Sequence, residues 1–160
     1  MEKAIFAAGC FWGVQLNFDK QDGVVSTTVG YIGGHVENPT YEVVCMEETH
    51  HAEAVEVIFD PEIITFGQLL DLFWHLHDPT TLNRQGPDSG SQYRSAIYYC
   101  SEEQRDIAEK SRALCNASDL WPDPVVTEIT RAVKFWSAED CHQKYLEKRN
   151  IQSACHRGHL

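Results

Sequence analysis

The sequence predicts an α+β protein: a ferredoxin-like split βαβ core with a mixed sheet, additional helices packed on it and an irregular C-terminal tail. Apolar or β-branched runs at residues 3–8, 24–30, 54–59 and 95–99 alternate with helix-period segments at 11–21 and 65–76, so the order is β-α-β-β-α-β. The 160 residues, 42% of them hydrophobic, suffice for one core without disulfide support. No internal repeat, low-complexity tract or interdomain linker interrupts the chain, so a single domain is expected over 1–160, with a core at about 3–148 and a tail at about 149–160.

The first run, Ala4-Ile5-Phe6-Ala7-Ala8, is expected to be a buried strand. A helix from Phe11 ends near Asp22-Gly23, and Val24, Val25, Thr27, Thr28 and Val29 supply the β-branched content of a second strand. Gly33-Gly34 and Asn38-Pro39 punctuate the loop that follows. Val55, Val57 and Phe59 alternate with Glu56 and Ile58 in a third strand that stops at Asp60-Pro61. Thr65 is placed to cap an amphipathic helix bearing Leu69, Leu70, Phe73, Trp74 and Leu76. Residues 78–92 show no periodicity, and a loop of that length inside a domain is commonly functional. A strand at 95–99 precedes a helix to about residue 114, with Ser101 and Gln104 as its capping box. A fifth strand at 125–130 and a last helix at 137–148 complete the core.

The formal charge of −11 argues against nucleic acid as a partner, because phosphate contacts need clustered Lys and Arg and no basic run exists. No apolar stretch approaches the roughly 20 residues that cross a bilayer, and the first residues lack a secretory pattern. A cytoplasmic location is expected, where the six cysteines (10, 45, 100, 115, 141 and 155) are thiols or redox-active groups rather than structural bridges.

Gly9-Cys10-Phe11-Trp12-Gly13 sets a thiol between glycines at a strand-to-helix junction, beside two aromatics. A cysteine in the first helical turn faces unpaired N–H groups and the positive end of the dipole, which favours the nucleophilic thiolate. A buried structural cysteine is the competing reading of Cys10 taken alone. Other polar residues gather on the expected loops and strand ends: Tyr31, His35, Tyr41, Glu53, and the segments Asn83-Arg84-Gln85-Gly86, Asp88-Ser89-Gly90 and Gln92-Tyr93-Arg94. A thiol, a carboxyl that holds a proton, and phenols that donate to an oxygen suit reduction of an S=O group or attack on a carbonyl, and spacing does not choose between them. Glu53 at a strand start also reads as a solvated residue.

Together, Gly9-Cys10-Phe11-Trp12-Gly13, Gly30-Tyr31-Ile32-Gly33-Gly34, Asn38-Pro39-Thr40-Tyr41, His51-Ala52-Glu53, His77-Asp78-Pro79, Asn83-Arg84-Gln85-Gly86, Gln92-Tyr93-Arg94-Ser95-Ala96-Ile97 and Ala138-Glu139-Asp140 resemble the peptide methionine sulfoxide reductase A family. The resemblance implies reduction of the S epimer of methionine sulfoxide, free or in oxidised proteins, with no cofactor beyond thioredoxin or another dithiol as reductant and partner. It makes Cys10 the nucleophile, Glu53 the proton donor, Tyr41 and Tyr93 the donors to the sulfoxide oxygen, Asp88 an orienting group, and Phe11 and Trp12 the pocket for the terminal methyl. Cys155 falls near the usual place of a resolving cysteine, which would convert a Cys10 sulfenic acid into a disulfide.

Three segments depart from the family pattern. The tail around Cys155 lacks the glycine-rich continuation and a further cysteine, Cys141 stands where another residue is more usual, and Met46-Glu47-Glu48-Thr49-His50 replaces a small, glycine-containing stretch before Glu53. Cys45, Cys100 and Cys115 read as buried small hydrophobes. The alternative function is a metal-binding or redox-sensing module using His50-His51, His75 and His77, Cys141-His142 and Cys155-His156, although no pair has zinc-site spacing. A cysteine hydrolase would need a histidine base, for which the sequence offers no evident candidate.

Overall fold

The structure, a computed structural model, describes residues 1–46 and 49–150. Cys155 and the rest of the tail at 151–160 lie outside the described residues, as do Glu47 and Glu48. The chain runs through β1 (Glu2–Ala8), α1 (Phe11–Asp19), β2 (Val24–Ile32), α2 (Tyr41–Cys45), β3 (Ala52–Phe59), α3 (Phe66–Leu76), β4 (Arg84–Gln85), β5 (Asp88–Ser89), β6 (Ser95–Tyr99), α4 (Glu102–Ala117), β7 (Glu128–Arg131), β8 (Trp136–Ser137) and α5 (Tyr145–Lys148). Among the described residues six strands form a mixed sheet in the order β7-β6-β1-β3-β2-β8, antiparallel except for the parallel pair β6–β7.

Because side chains alternate across a strand, each central strand feeds two cores. Ala4, Phe6 and Ala8 of β1 and Val55, Val57 and Phe59 of β3 face the helices, where Phe6 stacks on Phe18 of α1 at 5.0 Å and meets Phe73 of α3 at 5.4 Å. Ile5, Ala7, Ala52, Ala54 and Tyr98 face the other way and are covered by Ala132 and Phe135. Glu53 shares the parity of Val55 and Val57, so it points under α1 and is 1% exposed rather than solvated.

The caps follow the sequence at α3, where Thr65 and Gln68 form a reciprocal capping box. At α4 the Ser101 hydroxyl accepts the Gln104 N–H, but the Gln104 side chain accepts from the Cys100 N–H and donates to the Lys3 carbonyl, tying the helix start to β1 instead of closing a box. The aperiodic stretch before β6 contains the small β4–β5 hairpin. Gln85, 1% exposed, brackets Asp78 by accepting its N–H and donating to its carbonyl, both at 2.8 Å.

The expected fifth strand at 125–130 is the shorter Glu128–Arg131, and the expected helix at 137–148 does not form. Trp136 and Ser137 pair with Tyr31 and Gly30, a 3-10 turn covers Asp140–His142, and only Tyr145–Lys148 is α-helical. Lys144 breaks the run in the left-handed region at φ 56, held there because its N–H bonds Gln15 and its ammonium reaches Asp19 at 2.6 Å. Gln143 acts as a strand partner: its carbonyl oxygen accepts the Val29 N–H, and its amide donates to the Val29 and Ala138 carbonyls. Gln143→Ala is expected to cost about 1–3 kcal/mol by leaving these main-chain groups unpaired, measured by urea unfolding; an unchanged midpoint and slope would refute this bridging role.

Candidate active site

The site grows from the β1–α1 junction. Gly9 turns the chain at φ 95, a conformation costly for any other residue, and brings Cys10 to the N-cap of α1. The first helical N–H, that of Phe11, donates to the Glu53 carboxyl at 3.2 Å. The other carboxyl oxygen, Oε2, is buried with no hydrogen-bond partner among the described residues. β2 delivers Tyr31 opposite Glu53, and Thr40 caps α2 so that Tyr41 starts that helix. The β4–β5 hairpin presents Asp88, and the turn Ser91–Tyr93 presents Tyr93.

These elements enclose a cleft of about 250 Å³ lined by Cys10, Trp12, Gly13, Tyr41, Pro87, Asp88, Tyr93 and Leu146. Thus Cys10, Trp12, Tyr41, Asp88 and Tyr93 come together as the sequence implies, with Glu53 below them. Phe11 is fully buried behind the wall, against Tyr31, Tyr41 and His142. A larger cavity of about 470 Å³ lies by Lys3, Glu56, Cys100 and Arg131, but no polar side chain lining it is buried.

Electrostatics in the cleft favour protonated groups. Burial pushes the Glu53 carboxyl up to about 8, with the Phe11 N–H opposing and Asp88 adding to the shift. Burial, then the Glu53 and Asp88 charges, push the Cys10 thiol up to about 12, although the Trp12 and Gly13 N–H groups pull it down. The expectation of a favoured thiolate is therefore corrected for the resting site: the helix terminus acts in the anticipated direction but is outweighed by desolvation and neighbouring carboxyls. Tyr41 and Tyr93 are likewise raised, first by burial and then by the Glu53 charge, and Asp88 is raised by burial. Both phenols are donors at neutral pH.

The remaining thiols divide differently from the sequence expectation. Cys115 is buried, whereas Cys45, the last residue of α2, and Cys100, just past β6, are exposed where the chain turns to the surface; Cys141 is also exposed. The histidines proposed for a metal site have separate surroundings. His51 accepts the Gly34 N–H and donates to the Val36 carbonyl, while His77 is buried beside the Phe73 carbonyl and Ser95 hydroxyl. Among the described residues no group of three or more His, Cys, Asp or Glu could hold a metal ion.

Sequence reasoning missed the C-terminal contribution. Leu146 lines the cleft, and His142 and Tyr145 contact the Trp12 indole. Glu139 accepts from the Tyr31 hydroxyl at 2.9 Å and the Tyr41 N–H at 3.1 Å. Burial raises this carboxyl, but those hydrogen bonds and His142 leave it below its ordinary range. The available signal was an indole N–H beside a reactive cysteine, which needs an acceptor when enclosed.

The sequence model for peptide methionine sulfoxide reductase matches residues 2–159. Peptide methionine sulfoxide reductase MsrA of Methanothermobacter thermautotrophicus is 59% identical over 155 residues, covering 97% of this chain and 91% of that protein. Mxr1 of Saccharomyces cerevisiae in reduced form superposes with a TM-score of 0.83 at 35% identity, over 96% of this chain and 88% of the yeast chain. Mxr1 in complex with Trx2 gives a TM-score of 0.57 at 25% identity, over 90% and 84% of the two chains. With a match spanning nearly every residue and a cleft that gathers a thiol, a buried carboxyl and two phenols, the chain belongs to the peptide methionine sulfoxide reductase A family.

Proposed function

We propose that this enzyme reduces the S epimer of methionine sulfoxide with Cys10 as nucleophile and Glu53 as proton donor. The observation that carries the reading is the Glu53 carboxyl, raised to about 8, with one oxygen fixed by the Phe11 N–H and the other without a partner among the described residues beneath the cleft. Tyr41 and Tyr93 donate to the sulfoxide oxygen, Asp88 orients the hairpin side, and Trp12 forms the wall for the terminal methyl, with Phe11 supporting it from behind.

The step balances without an external proton. Cys10 Sγ bonds the sulfoxide sulfur, the Glu53 proton goes to the oxygen, and the thiol proton restores Glu53. The protonated oxygen then passes to Cys10 Sγ as both the S–O bond and the new Sγ–S bond to the methionine sulfur break, giving methionine and a Cys10 sulfenic acid. The Cys155 thiol then displaces the sulfenic hydroxyl as water and forms a disulfide, which thioredoxin or another dithiol reduces. The yeast relative's complex with Trx2 supports that reductant, and repair of oxidised proteins is the corresponding role.

We also read residues 1–160 as one domain, with a core at about 3–148 and a tail at about 149–160. The order β6-β1-β3-β2, with α1 and α3 on one face, supports the ferredoxin-like split βαβ description of its centre. A cytoplasmic location fits the reduced thiols; no helix among the described residues is long and apolar enough to cross a membrane.

Cys10→Ser is expected to abolish methionine formation from the S-sulfoxide in a single turnover. Substantial product would remove Cys10 as nucleophile, and the same variant failing while wild type hydrolyses an ester but spares the sulfoxide would favour the hydrolase. Glu53→Gln should slow that step by about 10²–10⁴-fold. In wild type the rate should fall as pH rises through about 8, where Glu53 ionises; a rate flat between pH 6 and 9 would assign the proton elsewhere.

The same ionisation affects stability. The folded Glu53 value lies above its unfolded value of 4.5, so the folded state holds the proton longer and stability falls as pH rises from about 4.5 to about 8. The melting temperature of Glu53→Gln relative to wild type should therefore increase between pH 5 and pH 9; a difference independent of pH would contradict the raised carboxyl. Cys155→Ser should preserve the first turnover, leave Cys10 as sulfenic acid and lower thioredoxin-coupled turnover, while Cys141→Ser changes little. Peptide mapping that finds a Cys10–Cys141 link in oxidised wild type would overturn this assignment.

A further inference from the structure

Trp12 enters the cleft from α1; beside a Tyr41 ring stacked at 6.1 Å, the hydrogen bond and the tightest ring contact that orient its indole come from the C-terminal segment. Its Nε1–H donates to His142 Nδ1 at 3.0 Å, and its ring lies parallel to Tyr145 at 3.8 Å and 8°. The His142 ring also packs on Tyr41 at 4.4 Å and on Phe11 at 5.7 Å. The turn that carries His142 is anchored independently of Trp12, because the next two residues tie it to β2 and α1: Gln143 to Val29, and Lys144 to Gln15 and Asp19. A ring fixed in this way is a reference point for the indole rather than a follower of it.

We propose that His142 is a positioning residue for substrate selection: by accepting the Trp12 indole N–H it sets the plane of the cleft wall that receives the group attached to the sulfoxide sulfur. This rests on the reading of the cleft as the sulfoxide site. Acceptance at Nδ1 requires the neutral ring with its proton on Nε2. A second proton on Nδ1 would face the indole N–H, donor against donor, and release the wall. Around the ring, the titratable groups are Glu139 ahead of its own turn, Tyr41 on α2 and Tyr145 on α5; α1 contributes the uncharged Phe11 and Trp12. Burial lowers the imidazole below its ordinary range while Glu139 pulls it back up, so the neutral acceptor prevails at pH 7.

The test is single-turnover reduction at varied concentrations of methionine S-sulfoxide and of the matching ethionine sulfoxide epimer, which differs by one methylene. His142→Phe keeps a ring but loses the acceptor; His142→Asn keeps an acceptor at a similar position and loses the ring. The Phe variant is expected to raise the half-saturating concentration about 10-fold and to lower the methyl-over-ethyl preference at least several-fold, within the range one methylene commands, with the limiting rate within about threefold of wild type. The Asn variant should restore both quantities to within about threefold. Equal behaviour of the two variants, or a Phe variant with unchanged selectivity, overturns the proposal. If either variant fails to fold, wild type provides the second measurement: its half-saturating concentration should rise as pH falls from 7 to 5 while the limiting rate holds, and a flat profile overturns the proposal. Failure of wild type to reduce either sulfoxide would instead overturn the sulfoxide-site reading itself.

Discussion

The carboxyl of Glu53 beneath the start of α1 is the constraint around which the molecule is arranged. One oxygen takes the Phe11 N–H, which satisfies a group that every helix leaves unpaired, and fixes the helix to the middle of the sheet. Burial holds the proton on the carboxyl near neutrality, and its charge, when present, would press on Cys10, Tyr41 and Tyr93 together. Packing and chemistry therefore share one contact. The same enclosure that costs ionisation energy makes the group an acid at the pH where an ordinary carboxylic acid has none to give.

The central sheet was legible because its signals are local and periodic. The continuous apolar run of β1, the alternation in β3, the amphipathic α3 with Thr65 ahead of it, and Ser101 before α4 each declare themselves over a few residues. The parity of Glu53 with Val55 and Val57 carried its burial as well, although a carboxylate at a strand start reads equally as solvated. Motif order supplied the residues around the cleft. It did not supply their protonation, since the thiol of Cys10 depends on the sum of a favourable helix end and unfavourable burial, two quantities of opposite sign that only the assembled site weighs.

The C-terminal segment was not legible for the opposite reason. Its conformation is set by distant partners: Val29 for Gln143, Gln15 and Asp19 for Lys144, Tyr31 and Tyr41 for Glu139. A left-handed Lys144 has no sequence signature comparable to a glycine, and helical propensity at 137–148 loses to these contacts. Residues expected to continue a helix thus build one side of the cleft, packing His142 and Tyr145 on Trp12 and placing Leu146 in the lining.

The way that segment meets β2 also decides how the sheet ends. β8 contributes only two residues, and beyond them the Gln143 amide consumes the polar groups of Val29 that another backbone would otherwise bond. At the opposite border, β7 has four residues and carries Glu128 and Arg131, paired with Arg94 and Glu102. Unfolded polypeptides present long ladders of free amides that readily join an open sheet border. Here such a peptide meets a side-chain plug at one border and a short strand flanked by charged side chains at the other, so main-chain aggregation at the sheet edges is disfavoured by the architecture.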